Sequence, residues 1–194
     1  MPKLLRPAQR LNALVAAMPA ATQTKGAAFV TLWEHGELRG CIGNVPARDT
    51  LAESVRRNAI GAALADRRFR PVTPQELGAI ELELTVLSPL HPIASYLEFQ
   101  PGRDGVLLEK DGRHAVYLPQ VAREYGWNRE QTLSALAEKA GLPADAWREG
   151  ARLSVFTAQS YGPTTTQPAG RVVGPVARGS GASSPRSPGR VTTP

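Results

Sequence analysis

This chain of 194 residues has a single cysteine, Cys41, and three histidines, His35, His91 and His114. One cysteine excludes an internal disulfide. The histidines stand at no spacing that would hold a metal, so neither a disulfide scaffold nor a metal centre is expected. There is no G-x-G-x-x-G, Walker loop, G-x-S-x-G or H-E-x-x-H, and no cofactor is expected. No apolar run approaches the roughly 20 residues of a membrane-spanning helix. The opening M-P-K-L-L-R-P-A-Q-R-L-N-A-L-V-A-A-M is interrupted by Arg6, Pro7, Arg10 and Asn12. It lacks the unbroken apolar centre of a signal peptide, although M-P-A-A-T has the small residues of a cleavage site. We read it as a helix lying on the core of a cytoplasmic protein with no membrane partner.

Acidic residues are missing from one region. From Gly162 onward, 21 of 33 residues are Gly, Pro, Ser or Thr, four are Arg and none is Asp or Glu. Such a composition cannot bury enough apolar surface to offset its ordering entropy, so 162–194 is expected to be a disordered tail. It is read as an inert extension or a weak electrostatic tether. The tail also carries most of the formal charge of +6, because residues 1–161 hold 19 basic and 17 acidic side chains, a net +2. So small a charge gives little reason to expect a nucleic-acid partner.

Hydrophobic content is 42%, enough for a sizeable core in residues 1–161. A-F-V-T-L-W (28–33) and L-R-G-C-I-G-N-V (38–45) read as strands joined through His35-Gly36, with the glycine at a positive-φ position. T-L-A-E (50–53) has the spacing of a capping box. The stripe Leu51, Val55, Ala59 and Ala62 predicts a helix ending near Asp66. T-P-Q-E (73–76) is a second box, opening a short helix. I-E-L-E-L-T-V-L (80–87) alternates strictly and predicts a strand buried on the side of Ile80, Leu82, Leu84 and Val86. L-S-P-L-H-P-I then serves as a connector. Two strands flank Asp111-Gly112, the strongest hairpin signal in the chain. A short helix is expected over 119–125 and a fuller one over 128–141, capped by Asn128 and stopped by Gly141. R-L-S-V-F-T-A-Q (152–159) reads as a last strand. Hairpins mixed with helices, without regular βαβ units, predict an α+β domain around an antiparallel sheet flanked by helices.

Strand alternation places Arg39, Cys41 and Gly43 on one face, with Arg39 and Cys41 about 7 Å apart at Cα. A guanidinium at that distance would favour thiolate over thiol. The alternative is a small buried cysteine. Gly40 and Gly43 inside a strand suggest a bulge or a close approach by a ligand or another backbone. Across the Asp111-Gly112 turn, Glu109 faces His114, either as an oriented imidazole or as a solvated cross-strand pair. Glu81 and Glu83 share a strand face, suited to acid–base work or merely wet. D-R-R-F-R-P (66–71) sets three arginines around Phe69, for phosphate contact or as cations at a helix C-terminus.

Several stretches together resemble one family. G-A-A-F-V-T-L with L-R-G-C-I-G, D-R-R-F-R-P-V-T-P-Q-E-L, P-G-R-D-G-V-L-L-E-K, Y-L-P-Q-V-A-R-E-Y-G-W and K-A-G-L-P are similar, in order, to blocks of the AMMECR domain family. Its bacterial and archaeal members are called AmmeMemoRadiSam system protein A. The likeness runs from about Gly26 to Tyr161, with a shorter one near the N-terminus, and the tail has no counterpart. It implies an α+β fold of two unequal lobes over 1–161, with L-R-G-C-I-G lining a cleft between them. It also implies association with a Memo-like protein and a radical-SAM protein. Arg39, Gly40, Cys41 and Gly43 match the family's hallmark; Asp66, Arg68 and Phe69 match its second block. Ala137 stands where many bacterial relatives have a cysteine, and Asn128 where an aspartate is common. The expected function is that of a cleft-based ligand- or partner-binding component, with Gly40, Gly43, Asp66, Arg68 and His114 as cleft residues. The alternative is an enzyme using Cys41 as nucleophile or acceptor, with Arg39 lowering its pKa.

Overall fold

A computed structural model describes residues 20–162. The expected N-terminal helix, and the tail from residue 163 onward, lie outside the described residues. Within them are eight strands and three α-helices: β1 Ala27–Glu34, β2 Glu37–Gly43, α1 Leu51–Leu64, β3 Ile80–Leu87, β4 His91–Ile93, β5 Gly105–Lys110, β6 Arg113–Tyr117, α2 Pro119–Tyr125, α3 Arg129–Lys139, β7 Arg152–Phe156 and β8 Ala158–Tyr161. The α+β class is as expected, but the strands form two antiparallel sheets rather than one. Their orders are β2-β1-β3-β8 and β4-β7-β5-β6.

The reason lies at two crossing points. The proline-rich stretch after β3 holds a short strand, β4, and that strand joins the second sheet. The expected single strand over 152–159 breaks at Thr157, so β7 belongs to the second sheet and β8 to the first. Both changes of sheet occur side by side. The Ser88 amide donates to the Thr157 carbonyl, and the Thr157 amide donates to the Ser88 hydroxyl, each at 2.9 Å. Connections this short hold the two sheets against each other. Ala27, Phe29 and Leu87 of the first sheet meet Leu118 and Phe156 in the seam between them. Burying each of the two phenylalanines contributes about 2–3 kcal/mol.

The outer face of each sheet has its own helical cover. α1 begins where the Thr50 hydroxyl accepts the Glu53 amide at 3.3 Å. It lays Ala62, Ala59 and Val55 on Val30, Leu32 and Ile42. α3, capped reciprocally by Asn128 and Gln131, covers β5 and β6 with Leu133, Leu136 and Ala137, which pack on Val106, Leu108 and Phe99. β3 is therefore not buried on one side only. Ile80 and Leu84 join the α1 side, while Thr85 and Leu87 on the opposite face are 4% and 6% exposed, and Leu82 is left exposed. No helix among the described residues is long and apolar enough to cross a membrane.

Candidate functional site

The β1–β2 hairpin turns at His35 and Gly36, both at positive φ. Its inner pairs are Glu34 with Glu37 and Trp33 with Leu38. A regular ladder would next pair Leu32 with Arg39. Instead Leu32 pairs with Gly40 and Thr31 with Cys41, so Arg39 is the extra residue of a β-bulge. The alternation from Gly40 onward is as expected: Gly40 and Ile42 meet α1, and Cys41 packs into the seam. The bulge re-aims Arg39. Its Nε and Nη2 bind the Glu76 carboxylate at 2.9 and 2.8 Å, and Nη1 and Nη2 donate to the carbonyls of Arg70 and Pro71. Arg39 therefore fastens the 70–76 loop to β2 and is not the cation beside the sulfur. Glu76 had no place in the expected site. Its carboxyl is held down to about 2 by the Thr73 hydroxyl and amide and by Arg39.

The guanidinium near Cys41 belongs to Arg68. β2 is an edge strand, and Cys41 turns its amide and carbonyl outward, away from β1. The amide donates to Asp66 Oδ2 at 2.9 Å, and the carbonyl accepts from Arg68 Nη2 at 3.3 Å. Asp66 and Arg68 are themselves paired at 2.6 Å, with the Asp66 side chain 1% exposed and Arg68 32%. Asp66 also accepts the Arg68 amide and Nε. The ion pair thus gives the edge one acceptor and one donor, as a neighbouring strand would. Burial opposes ionisation of Asp66, but the Arg68 side chain and the Cys41 and Arg68 amides hold it below the usual carboxylate range.

The sulfur points the other way. Thr31 Oγ donates to Cys41 Sγ at 3.3 Å. On the far side of Thr31 lies Glu83, whose carboxylate takes the Trp33 indole N–H at 3.0 Å. Burial is the largest influence on the thiol and raises its pKa. The Thr31 hydrogen bond and the Arg68 charge act downward, Asp66 and Glu83 act upward, and the net shift is upward. Thr31 was also missed in the sequence, and Glu83 was singled out there only as a carboxylate paired with Glu81, not as a neighbour of the sulfur. The hairpin turn could have led to Thr31 only with the bulge known, since a regular ladder would set Thr31 opposite Gly40.

The glycines are set by close approach. A Cβ on Gly40 would lie 2.2 Å from the Ala62 carbonyl oxygen, and one on Gly43 would lie 2.1 Å from the Phe29 ring. The neighbours are this chain's own helix and strand. Phe69 stacks under Arg68, whose guanidinium carbon is 5.4 Å from the ring centre. Cys41, Gly40, Gly43, Asp66 and Arg68 are thus brought together, with Arg39 on the same strand but turned to Glu76. His114 is not among them. It is exposed on β6, opposite Glu109, and no hydrogen bond or ion pair joins it to Cys41 or Asp66.

The family model AMMECR1 matches residues 4–161. The chain belongs to the AMMECR1 family. It is 38% identical over 170 residues to a protein of Methanocaldococcus jannaschii, covering 82% of this chain and 83% of that one. A Thermococcus kodakarensis protein is 38% identical over 154 residues, covering 74% and 75%. Among solved structures, an uncharacterised protein of Pyrococcus horikoshii aligns with a TM-score of 0.67 at 35% identity, covering 74% of this chain and 76% of that one.

Proposed function

We propose that this protein is a binding component, not a thiol enzyme, and that it engages its partner through the arginine-bearing shoulder at 66–71 beside β2. The observation that carries this reading is the division of labour in L-R-G-C-I-G. Arg39 is spent on Glu76 and two carbonyls, Gly40 and Gly43 admit the chain's own helix and ring, and the Cys41 thiol is turned inward with a raised pKa. What remains on the outside is the loop itself. Arg67, Arg68 and Arg70 are exposed, and the buried Asp66 fixes Arg68 in place. A guanidinium held in one geometry loses little entropy on meeting a carboxylate, which suits it to a protein partner with an acidic surface.

The family resemblance supplies the partners to try, a Memo-like protein and a radical-SAM protein. Calorimetric titration of each purified partner with the wild-type chain, Arg68→Ala and Cys41→Ser tests the proposal. Binding weakened about tenfold by Arg68→Ala and untouched by Cys41→Ser supports it. Equal loss in Cys41→Ser, or no binding of either protein, overturns it. The enzyme reading draws on two features, the hydroxyl donated to the sulfur and the Arg68 charge, since both stabilise a thiolate. Burial and two carboxylates outweigh them.

A further inference from the structure

We propose that the free edge of β8 pairs with the same edge of a second copy of this chain, joining the first sheets of the two copies across a two-fold axis. The two sheets of one copy end in four edge strands, β2, β8, β4 and β6. An edge strand is a template for further pairing unless something blocks it. Three of these four are blocked. On β2 the Asp66–Arg68 pair takes the outward amide and carbonyl of Cys41. β4 is three residues long with Pro92 at its centre, and a proline cannot donate to a neighbouring strand. On β6 the Lys139 ammonium donates to the Val116 carbonyl at 3.0 Å, and Arg113 puts a charge at the start of the strand.

β8 has no such device among the described residues. It reads A-Q-S-Y, without a charge or a proline, and Gln159, Ser160 and Tyr161 are exposed. Its register fixes which backbone groups are free. β8 pairs with β3 from Leu87–Ala158 to Leu84–Tyr161, and the Ser88 amide donates to the Thr157 carbonyl one step before. Bonded pairs alternate along an antiparallel ladder. Gln159 and Tyr161 therefore turn their N–H and C=O groups to β3, and Ala158 and Ser160 turn theirs away from it. Among the described residues nothing bonds those outward groups. The Ser160 hydroxyl is engaged separately, with Thr85 at 2.8 Å.

The edge is complementary to itself. With two copies antiparallel and Gln159 on the axis, Ala158 of one copy lies opposite Ser160 of the other, and each outward donor meets an acceptor. The facing side chains are uncharged, so the copies meet without like-charge repulsion. On the α1 side of the sheet, Tyr161 is 51% and Leu82 45% exposed, an apolar margin that a neighbouring copy shields. A two-fold contact of this kind is closed: it uses the open edge of both copies and leaves none for a third. With four residues to a strand, the contact is small and the dimer weak and reversible. β8 lies at the opposite edge of the sheet from β2, so the inference is independent of the partner-binding reading at 66–71.

The test is sedimentation equilibrium of the full chain from micromolar to millimolar concentration, with amide exchange followed at both ends of that range. A concentration-dependent dimer is expected. The Ala158 and Ser160 amides should exchange about tenfold or more slowly in the dimer than in the monomer, while those of Gln159 and Tyr161 are protected in both. Gln159→Lys sets two ammonium groups against each other at the axis and should weaken the dimer about fivefold or more. Ser160→Pro removes an outward N–H from each copy and should weaken it further. Tyr125→Lys, which adds the same charge outside the first sheet, should leave it unchanged. Melting curves show which variants keep the fold; Gln159→Lys changes only an exposed side chain and carries the test if Ser160→Pro unfolds. A monomer at every concentration overturns the proposal, including one whose Ala158 and Ser160 amides gain protection only when another protein is added. So does a dimer in which those amides exchange as fast as in the monomer, or one that Gln159→Lys leaves equally tight.

Discussion

The Asp66 carboxylate accepts the outward-facing amide of Cys41 at 2.9 Å while Arg68 donates to the carbonyl of the same residue. A side-chain ion pair from the segment after α1 thus takes the place of a neighbouring strand. This single contact explains why D-R-R-F-R-P and L-R-G-C-I-G occur together in the sequence: one supplies the lock for the edge of the other.

Removing the lock should free the strand. In Asp66→Ala, the Cys41 amide is left without an acceptor and Arg68 without its partner. We expect the protein to lose about 2–4 kcal/mol of stability. Hydrogen exchange at the Cys41 amide should accelerate by about tenfold or more, with much smaller changes on β5. Denaturant unfolding and amide exchange measure the two effects. An unchanged Cys41 exchange rate would mean that Asp66 is not its acceptor.

The hallmark glycines should differ from the turn glycine in how they fail. Gly40→Ala drives a methyl group into the Ala62 carbonyl, at a separation where backbone must move. A cost of about 1–3 kcal/mol or more is expected. Gly36→Ala has open space around it and meets only the strain of φ +79°, about 1–2 kcal/mol. Thermal unfolding of both variants should therefore rank Gly40→Ala as the more damaging. The reverse order would contradict the close packing of β2 on α1.

Acid should loosen the 70–76 loop before the sheets separate. The carboxyl of Glu76 is lowered from 4.5 to about 2, so the folded state binds its proton less readily than the unfolded one. Its contribution to stability is present above the ordinary value and is lost as pH falls through the folded value. Asp66 and Asp104 are also lowered and act in the same direction. The comparison with Glu76→Gln isolates the Glu76 share. Between about 4.5 and about 2, the wild-type chain should lose protection around Arg39 and Val72, whereas Glu76→Gln should show no such step in that window. Amide exchange followed across the titration reads the difference.

Much of the fold was legible from local signals. The alternation of 80–87, the Asp111-Gly112 turn, the Thr50 and Asn128 caps and the Gly141 stop each depend on neighbours in sequence, and each element formed within a residue or two of its expected place. What was hidden depends on distant partners. The division into two sheets turns on Ser88 bonding to Thr157, and nothing in L-S-P-L-H-P-I or in S-V-F-T-A-Q marks those residues as crossing points. The bulge at Arg39 exists only relative to Leu32 and Trp33 on the facing strand. A regular ladder would have left Arg39 beside the sulfur. The bulged one gives it to Glu76 and leaves Arg68 to face Cys41, which is why the residue types of the site were readable and their roles were not. His114 was matched with Glu109 correctly across its turn, but its distance from the Cys41 cluster is a property of the two-sheet arrangement.

The most direct test is the pH dependence of alkylation at Cys41 in the folded chain. As the chain has one cysteine, a mass increase reports that sulfur alone. A binding component whose thiol is turned inward should react more slowly folded than denatured, with a rate still climbing with pH beyond the usual thiol value of 9.0 rather than levelling off below it. Rapid alkylation at or below neutral pH, faster than in the denatured chain, would show an activated thiolate and would contradict this reading of L-R-G-C-I-G.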